Sequence, residues 1–312
     1  MHLSGFSTAV SELASRRIIG SYTAGAPGPL VIAMGGIHGN EPSGVIAIDA
    51  VIRKLSDGGA PLTGTVLGLV GNQRGLLAGS RYIDEDLNRC FRDERLHEAD
   101  SGNKATSEQR ELLEITELIA ERTQGFEDVC FVDCHTTSSV TVPYISVNAH
   151  APSLRLMRNF PLHSVIGLEQ SIPGCFGEYC NKLDYRGFTV EAGQHDEYAS
   201  IENHEAILWL LLVYCGLLRM EDIEGFDHCQ QTLARHTVDG VRRFRLAAHY
   251  RISPGEQFVM RAGFVNFHPI RKHEVLADNR FGSIVSPCDG RILMPLYQQQ
   301  GNDGFFILQG ED

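Results

Sequence analysis

The sequence predicts an α/β fold, a mixed, largely parallel sheet flanked by helices, followed by a small all-β domain at the C-terminus. Three observations carry this expectation. Through the first two-thirds of the chain, short apolar runs alternate with segments whose apolar residues recur at helical spacing. The longest apolar stretch, residues 206–218, is shorter than the ~20 residues needed to cross a bilayer, so it reads as a buried helix. Beyond about residue 225 the texture changes to short, partly alternating segments split by glycine, proline and asparagine. Residues 1–225 are therefore expected to form one domain and residues 226–312 a small β-rich second one.

The elements follow in order. Residues 30–34 are a short apolar run ending in Gly35-Gly36, which suits a buried strand feeding a tight loop. Pro42 sits where a helix can begin, since its missing N–H is one that a first helical turn leaves unpaired anyway. Val45, Ile48, Ile52 and Leu55 follow at helical spacing, with Asp49 and Arg53 toward the polar flank. Residues 63–70 are a second strand candidate, 107–122 a long amphipathic helix, 128–134 a third strand, 188–190 a short apolar strand and 201–218 the strongest helix. Strands separated by helices imply a sheet covered on both faces. In the C-terminal part, residues 241–252, 257–260, 290–296 and 305–308 are the candidate strands. No repeat, low-complexity tract or long charge run interrupts this pattern.

Composition narrows the function classes. A chain of 312 residues with 43% hydrophobic and 21% charged residues can bury one large core or two modest ones. Its net charge of -12 argues against nucleic acid, whose binding requires a basic surface. An anionic substrate must be captured by a few local arginines. The start, Met1 to Gly5, lacks the basic residues and apolar run of a secretion signal, so a cytoplasmic protein with no membrane partner is expected. A small-molecule substrate is the expected partner, and homo-oligomerisation is left open. The 8 cysteines are scattered without a C-x-x-C pair and read as reduced core residues. Cys130 and Cys134 are spaced to share one face of a strand.

Four segments carry chemistry. In Gly35-Gly36-Ile37-His38-Gly39-Asn40-Glu41, a histidine and a glutamate separated by two residues leave a buried strand together. An imidazole and a carboxylate turned toward one point make a pairing that zinc accepts. Alone, the segment reads equally as a surface loop with a helix-capping glutamate. His135 follows the apolar run 129–134 and precedes Thr136-Thr137-Ser138-Ser139, where open α/β sheets build sites; by itself it is as readily a core histidine. Two histidines and a glutamate leave one coordination position open, the mark of a catalytic zinc. In Arg81-Tyr82-Ile83-Asp84-Glu85-Asp86-Leu87-Asn88-Arg89, the last four residues can divide tasks between orienting a ligand histidine and gripping a carboxylate. Read without them, the stretch is a solvated loop. Glu191, in Thr189-Val190-Glu191-Ala192-Gly193, leaves apolar surroundings that raise its proton affinity and suit a general base; a surface glutamate at a strand end is the plainer alternative.

Taken together and in this order, these segments resemble the succinylglutamate desuccinylase/aspartoacylase family, a branch of the zinc carboxypeptidase superfamily. The pieces are G-G-I-H-G-N-E at 35–41, R-Y-I-D-E-D-L-N-R at 81–89, D-C-H-T-T-S-S at 133–139 and E-A-G at 191–193. Residues 286–290, with Gly304-Phe305-Phe306, also look like the small β domain of bacterial members, without the lysine-tipped hairpin of a biotinyl or lipoyl carrier. The resemblance implies a zinc-carboxypeptidase-like fold binding one Zn2+ per chain through His38, Glu41 and His135, with Glu191 as general base and acid. It implies further that Arg81 polarises the scissile carbonyl, that Asn88 and Arg89 bind a substrate carboxylate, and that Asp86 is the outer partner of His38. The activity it implies is hydrolysis of an amide in a small N-acyl amino acid. A metallocarboxypeptidase and a catalytically silent zinc-binding protein are the alternatives.

Aspartoacylases also use an arginine and a tyrosine shortly before the catalytic glutamate to read the acyl carboxylate. Residues 178–186 depart from that pattern: Tyr179, Lys182, Tyr185 and Arg186 read first as a solvated helix face and only second as substitutes. His150, His163, His195 and His204 have no partners at metal-ligand spacing and are expected to be structural or exposed.

Overall fold

The computed structural model describes residues 7–100, 105–237, 240 and 242–311; Met1 to Gly5, and Val241 at the head of one expected strand, lie outside the described residues. The chain opens with helix α1 (Ser7–Ala14), strands β1 (Ile18–Thr23) and β2 (Ala26–Gly35), helix α2 (Ser43–Gly58) and strand β3 (Thr63–Val70). Helices α3 (Gln73–Ala78), α4 (Asp93–Asp100) and α5 (Ser107–Arg122) lead to β4 (Val129–Thr137), β5 (Tyr144–Val147), α6 (Ala151–Met157), β6 (His163–Ile166), α7 (Phe176–Lys182), β7 (Arg186–Gln194) and α8 (Tyr198–Tyr214). Helix α9 (Phe226–Ala234) precedes β8 (Arg243–Arg251), β9 (Val259–Met260), β10 (Pro269–Ile270), β11 (Val275–Asn279), β12 (Gly282–Val285), β13 (Gly290–Leu293) and β14 (Asp303–Gly310).

Period-2 alternation of apolar residues builds the centre. In β2, Val31 and Ala33 face one core while Leu30, Ile32 and Met34 face another. In β4, Cys130, Val132 and Cys134 join the first core and Val129 and Phe131 the second, so Cys130 and Cys134 share a face as their spacing suggests. Both faces are thus apolar, which is why helices must cover each. The first core takes residues of α2 and α8, the second residues of α5 and α7.

Eleven strands form one sheet in the order β1-β3-β2-β4-β7-β5-β6-β8-β14-β13-β10, with β12-β11-β9 in a separate small sheet. The β3-β2-β4-β7 centre is parallel, as are the β5-β6 and β6-β8 pairings; the C-terminal strands β8, β14, β13 and β10 pair antiparallel. The expected mixed sheet with helices and a small antiparallel C-terminal part is the observed architecture. Two features go beyond it. Residues 226–234 are helical and pack on α8, and β8 pairs in parallel with β6, so the large sheet runs on past residue 225. The strong helix expected at 201–218 runs from 198 to 214 and closes before Gly216, whose φ of +82° lies in the left-handed region.

From β2 the chain passes to β3 on one side and eventually to β4 on the other. Beyond the carboxyl ends of β2 and β4 lies the switch point at which open α/β sheets hold their ligands. No helix among the described residues is long and apolar enough to cross a membrane. All 8 cysteines are unpaired, and Cys90, Cys130, Cys134, Cys175, Cys180 and Cys215 are buried.

Candidate metal and catalytic site

Three residues past the end of β2, His38 is set by a turn that begins at Gly36, with φ of +69°. Gly39 allows this loop to press on α3: a Cβ there would stand 1.9 Å from the backbone carbon of Gly75. The main chain then closes through Gly39 N to Arg81 O (3.1 Å) and Glu41 N to His38 O (3.1 Å). His135 and Glu191 are placed by sheet register. They are partners on the adjacent parallel strands β4 and β7, and Tyr144 of β5 is the next partner of Glu191, so one row carries all three side chains. His135 and Glu191 therefore stand inside their strands rather than just after or at the end of them, because ladder pairing continues through these polar residues.

The Arg81 to Arg89 segment is a buttressed loop. Glu108, fully buried near the start of α5, accepts from Ile83 N (2.7 Å), Asp84 N (3.0 Å), Glu85 N (3.2 Å) and Asn72 Nδ2 (2.9 Å). Asp86 accepts from Asn88 N (2.9 Å), capping the short turn that presents Asn88 and Arg89. Asn88 Oδ1 in turn accepts from Phe176 N (2.9 Å) at the start of α7.

These elements bring His38, Glu41 and His135 together, with one ligand atom of each within 4.8 Å of the others. Both Nδ1 atoms face the Glu41 carboxylate, His38 at 2.9 Å and His135 at 3.0 Å, and Thr136 N donates to the same carboxylate at 2.9 Å. The opposite nitrogens are held from behind: His38 Nε2 lies 3.1 Å from Asp86 Oδ1 and His135 Nε2 lies 3.0 Å from Asp133 Oδ2. Carboxylates behind both imidazoles fix their orientation and raise their basicity, as around metal-ligating histidines generally. Asp86 was legible in the sequence. The Asp133 contact is the new one, and D-x-H on one strand is its signal, since it places both side chains on one face.

Electrostatics follow from burial and these neighbours. Burial opposes ionisation of Glu41, but His38 and His135 overcome it and hold the carboxyl well below the usual carboxylate range. Burial likewise works against Asp86, yet Arg81, whose NH2 is 3.0 Å from Asp86 Oδ2, and His38 keep it well below its ordinary value. Burial pushes Glu191 well above the glutamate range; His135 offsets part of this and Glu41 adds to it. One Glu191 oxygen, Oε2, has no hydrogen-bond partner among the described residues. Burial also raises Tyr144 well above its ordinary value, helped by Glu191 and Glu41.

A cleft of about 110 Å³ opens over this group and is lined by seven of the eight expected site residues, His38, Glu41, Arg81, Asn88, Arg89, His135 and Glu191, while Asp86 stands behind His38. Arg81 NH1 is 3.6 Å from Glu41. Arg89 is paired with Asp303 of β14, which His249 Nε2 approaches at 2.7 Å. Met294, Leu296, Gln298 and Phe306 also line the cleft, so the C-terminal segment forms one of its walls. His195 lines it too, with Nδ1 2.9 Å from Thr136 Oγ1. His204 is a buried histidine that burial pushes down to about 3, while His150 and His163 lie away from the cleft. Tyr179, Lys182, Tyr185 and Arg186 do not line it either; Lys182 pairs with Glu178 and Arg186 with Asp128.

Comparison with known proteins identifies relatives of this chain. A family model described as the succinylglutamate desuccinylase/aspartoacylase catalytic domain matches residues 27–206. A succinylglutamate desuccinylase from Pseudomonas aeruginosa is 26% identical over 279 residues, covering 83% of this chain and 77% of the relative. A probable aspartoacylase from a Nostoc species is 28% identical over 171 residues, covering 52% of this chain and 54% of the relative. Among solved structures, a succinylglutamate desuccinylase/aspartoacylase from Rhodobacter sphaeroides is similar with a TM-score of 0.67 at 18% identity, covering 92% of this chain and 87% of that one. A succinylglutamate desuccinylase from Chromobacterium violaceum gives 0.65 at 16%, covering 98% of both chains. At these identities the structural likeness speaks for the fold.

Proposed function

Because this chain belongs to the succinylglutamate desuccinylase/aspartoacylase family, we propose that it is a zinc-dependent amidohydrolase acting on a small N-acyl amino acid or related carboxylate-bearing amide. The observation that carries this is the convergence of two backed imidazoles and one carboxylate beside a buried glutamate with a free oxygen. The donor set fits the metal: two nitrogens and a carboxylate suit zinc, and three protein ligands are the complement of a catalytic rather than a structural site. His38, Glu41 and His135 would hold the ion, which when bound supplies Lewis acidity that lowers the pKa of a water toward about 7 and polarises a carbonyl.

The remaining steps fall to the chain's own groups. Glu191, whose proton affinity is raised chiefly by burial, takes the proton of the attacking water and returns it to the departing amine. Arg81, held by Asp86, presents a guanidinium where the oxyanion develops. Asn88 and Arg89 grip a substrate carboxylate, with Arg89 kept in place by Asp303 between turnovers.

A metallocarboxypeptidase is the second reading, since the same ligands would serve it. The wall formed by Met294, Leu296 and Phe306 favours the small amide, because a long peptide would have to cross it. The test is a screen of N-acetyl, N-succinyl and N-formyl amino acids, alongside acetylated peptides, with zinc-loaded and chelator-treated protein. Turnover of at least one acylated amino acid that chelation abolishes is the expected result. Cleavage of peptides alone would transfer the assignment to the carboxypeptidase, and no zinc binding at all would overturn both.

A further inference from the structure

Besides Glu41 and Glu191, the cleft contains a buried acid that the chemistry above does not use. Glu169, in the turn after β6, is 5% exposed and lines the cleft beside Leu168, Ile172, Cys175, Ser146 and Thr189. Among the described residues its Oε1 has no hydrogen-bond partner, and neither does the buried Ser146 hydroxyl. Register explains where this subsite lies. Asp133, Thr189 and Ser146 are neighbours on β4, β7 and β5, one same-face row below His135, Glu191 and Tyr144: two residues before His135 and Glu191 and, because β5 runs antiparallel to β7, two residues after Tyr144. At 3.2–3.4 Å per strand residue the subsite is thus roughly 6–7 Å deeper along the strands than the reacting groups. Glu169 covers that deeper row, and α7 comes so near that a Cβ on Gly177 would stand 2.9 Å from Glu169 Oε2.

The same short segment ties the subsite to one half of the substrate. Phe176 N donates to Asn88, Gly174 packs against the carbonyl of Arg89, and Gly177 packs against Glu169. The carboxylate-gripping pair and Glu169 therefore flank one stretch, residues 174–177. An amino acid whose carboxylate sits on Asn88 and Arg89 can send its side chain to Glu169.

Resting on the amidohydrolase reading above, we infer that this subsite receives the side chain of the amino acid being released, and selects one that ends in an ammonium group, held by Glu169 and Ser146. The local inventory is rich in acceptors. Carboxylate and hydroxyl oxygens line the subsite, and the two arginines of the cleft, Arg81 and Arg89, are engaged by Asp86 and Asp303. An ammonium offers three donors to such a surface. A methyl group would leave buried oxygens unpaired, and a carboxylate would bring a further acid into a subsite whose nearby cleft arginines are already engaged. Burial first, with Asp133 adding, pushes the Glu169 carboxyl up to about 8, a state that an adjacent cation would reverse.

Nα-Acetylornithine, N-acetylnorleucine and N-acetylglutamate carry side chains of matched length ending in ammonium, methyl and carboxylate. Wild type and Glu169→Gln would be compared on all three, and binding of free ornithine and norleucine measured by calorimetry. Wild type is expected to favour the ornithine derivative in kcat/KM by about tenfold or more over norleucine, and by more over glutamate. Glu169→Gln is expected to lose most of that preference while keeping its kcat/KM on the norleucine derivative within about threefold. Equal use of the first two substrates by wild type, a preference for the glutamate derivative, or a uniform loss on all three in the variant would each overturn the inference. If nothing is hydrolysed, the amidohydrolase reading fails separately and calorimetry decides the subsite: ornithine bound tenfold tighter than norleucine in wild type alone supports it, and equal binding sinks it.

Discussion

Glu191 is held where its proton affinity is highest, buried in β7 beside His135, with an oxygen free for a water. Glu191→Gln preserves its shape and removes its basicity, so turnover should drop by about 10²–10⁴-fold while zinc stoichiometry is unchanged; a variant with wild-type kcat would remove Glu191 from the role. Asp133 acts one step away, through His135 Nε2. Asp133→Asn should weaken zinc affinity by about 10–100-fold, read by competition with a chelating dye, with stability of the metal-free protein little altered. Glu169 gives a pH signature. Its folded pKa of about 8 exceeds the ordinary value of 4.5, so the folded state keeps a proton that the unfolded chain has lost between those limits. Stability is then full below 4.5 and falls as pH rises toward 8, by at most about 1.4 kcal/mol per unit. Denaturant titrations of Glu169→Gln against wild type should diverge over that window in favour of the variant, and parallel curves would contradict the shift. At this scale the sequence discloses His38, Glu41, His135 and Glu191, because each belongs to a local motif. Glu169 and Tyr144 escape it, because only strand register and a distant turn bring them to the cleft.

Among the elements, β3 and α5 have the bounds that hydrophobic spacing gives, 63–70 and 107–122. The central strands β4 and β7 extend further than their apolar runs, since backbone pairing does not stop at Asp133, His135 or Glu191. Short elements such as β5, β6 and α3 carry too few residues to show a period. The buttress from Glu108 to the Arg81–Arg89 loop is also silent in the sequence, as a glutamate in a first helical turn is ordinary. The close packing of the His38 loop on α3 makes a direct test. Gly39→Ala would thrust a methyl into the Gly75 backbone, which no side-chain rotation relieves. A loss of about 3 kcal/mol or more is expected from chemical denaturation, together with weakened zinc binding; a variant as stable as wild type would show that the two loops are free to separate.

Over the whole molecule, the C-terminal segment both walls the cleft and, through Asp303, restrains Arg89. Burial opposes ionisation of Asp303, but His249 and Arg89 draw its carboxyl down to about 2, so their link contributes stability above pH 3.8 that fades as pH falls toward 2. Asp303→Asn should flatten that acid limb of the stability profile and raise KM for carboxylate-bearing substrates more than it lowers kcat; an unchanged KM would show that Arg89 is positioned without it. The parallel pairing of β8 with β6 has a wider bearing on how the protein can be dismantled. A gene cut after codon 225 would yield a first fragment with β6 stripped of its neighbour, a raw seam of amides and carbonyls inviting any passing strand. Grafting a foreign C-terminal part onto this enzyme would require a matching strand to be stitched along that seam, and a flexible linker alone would not do it.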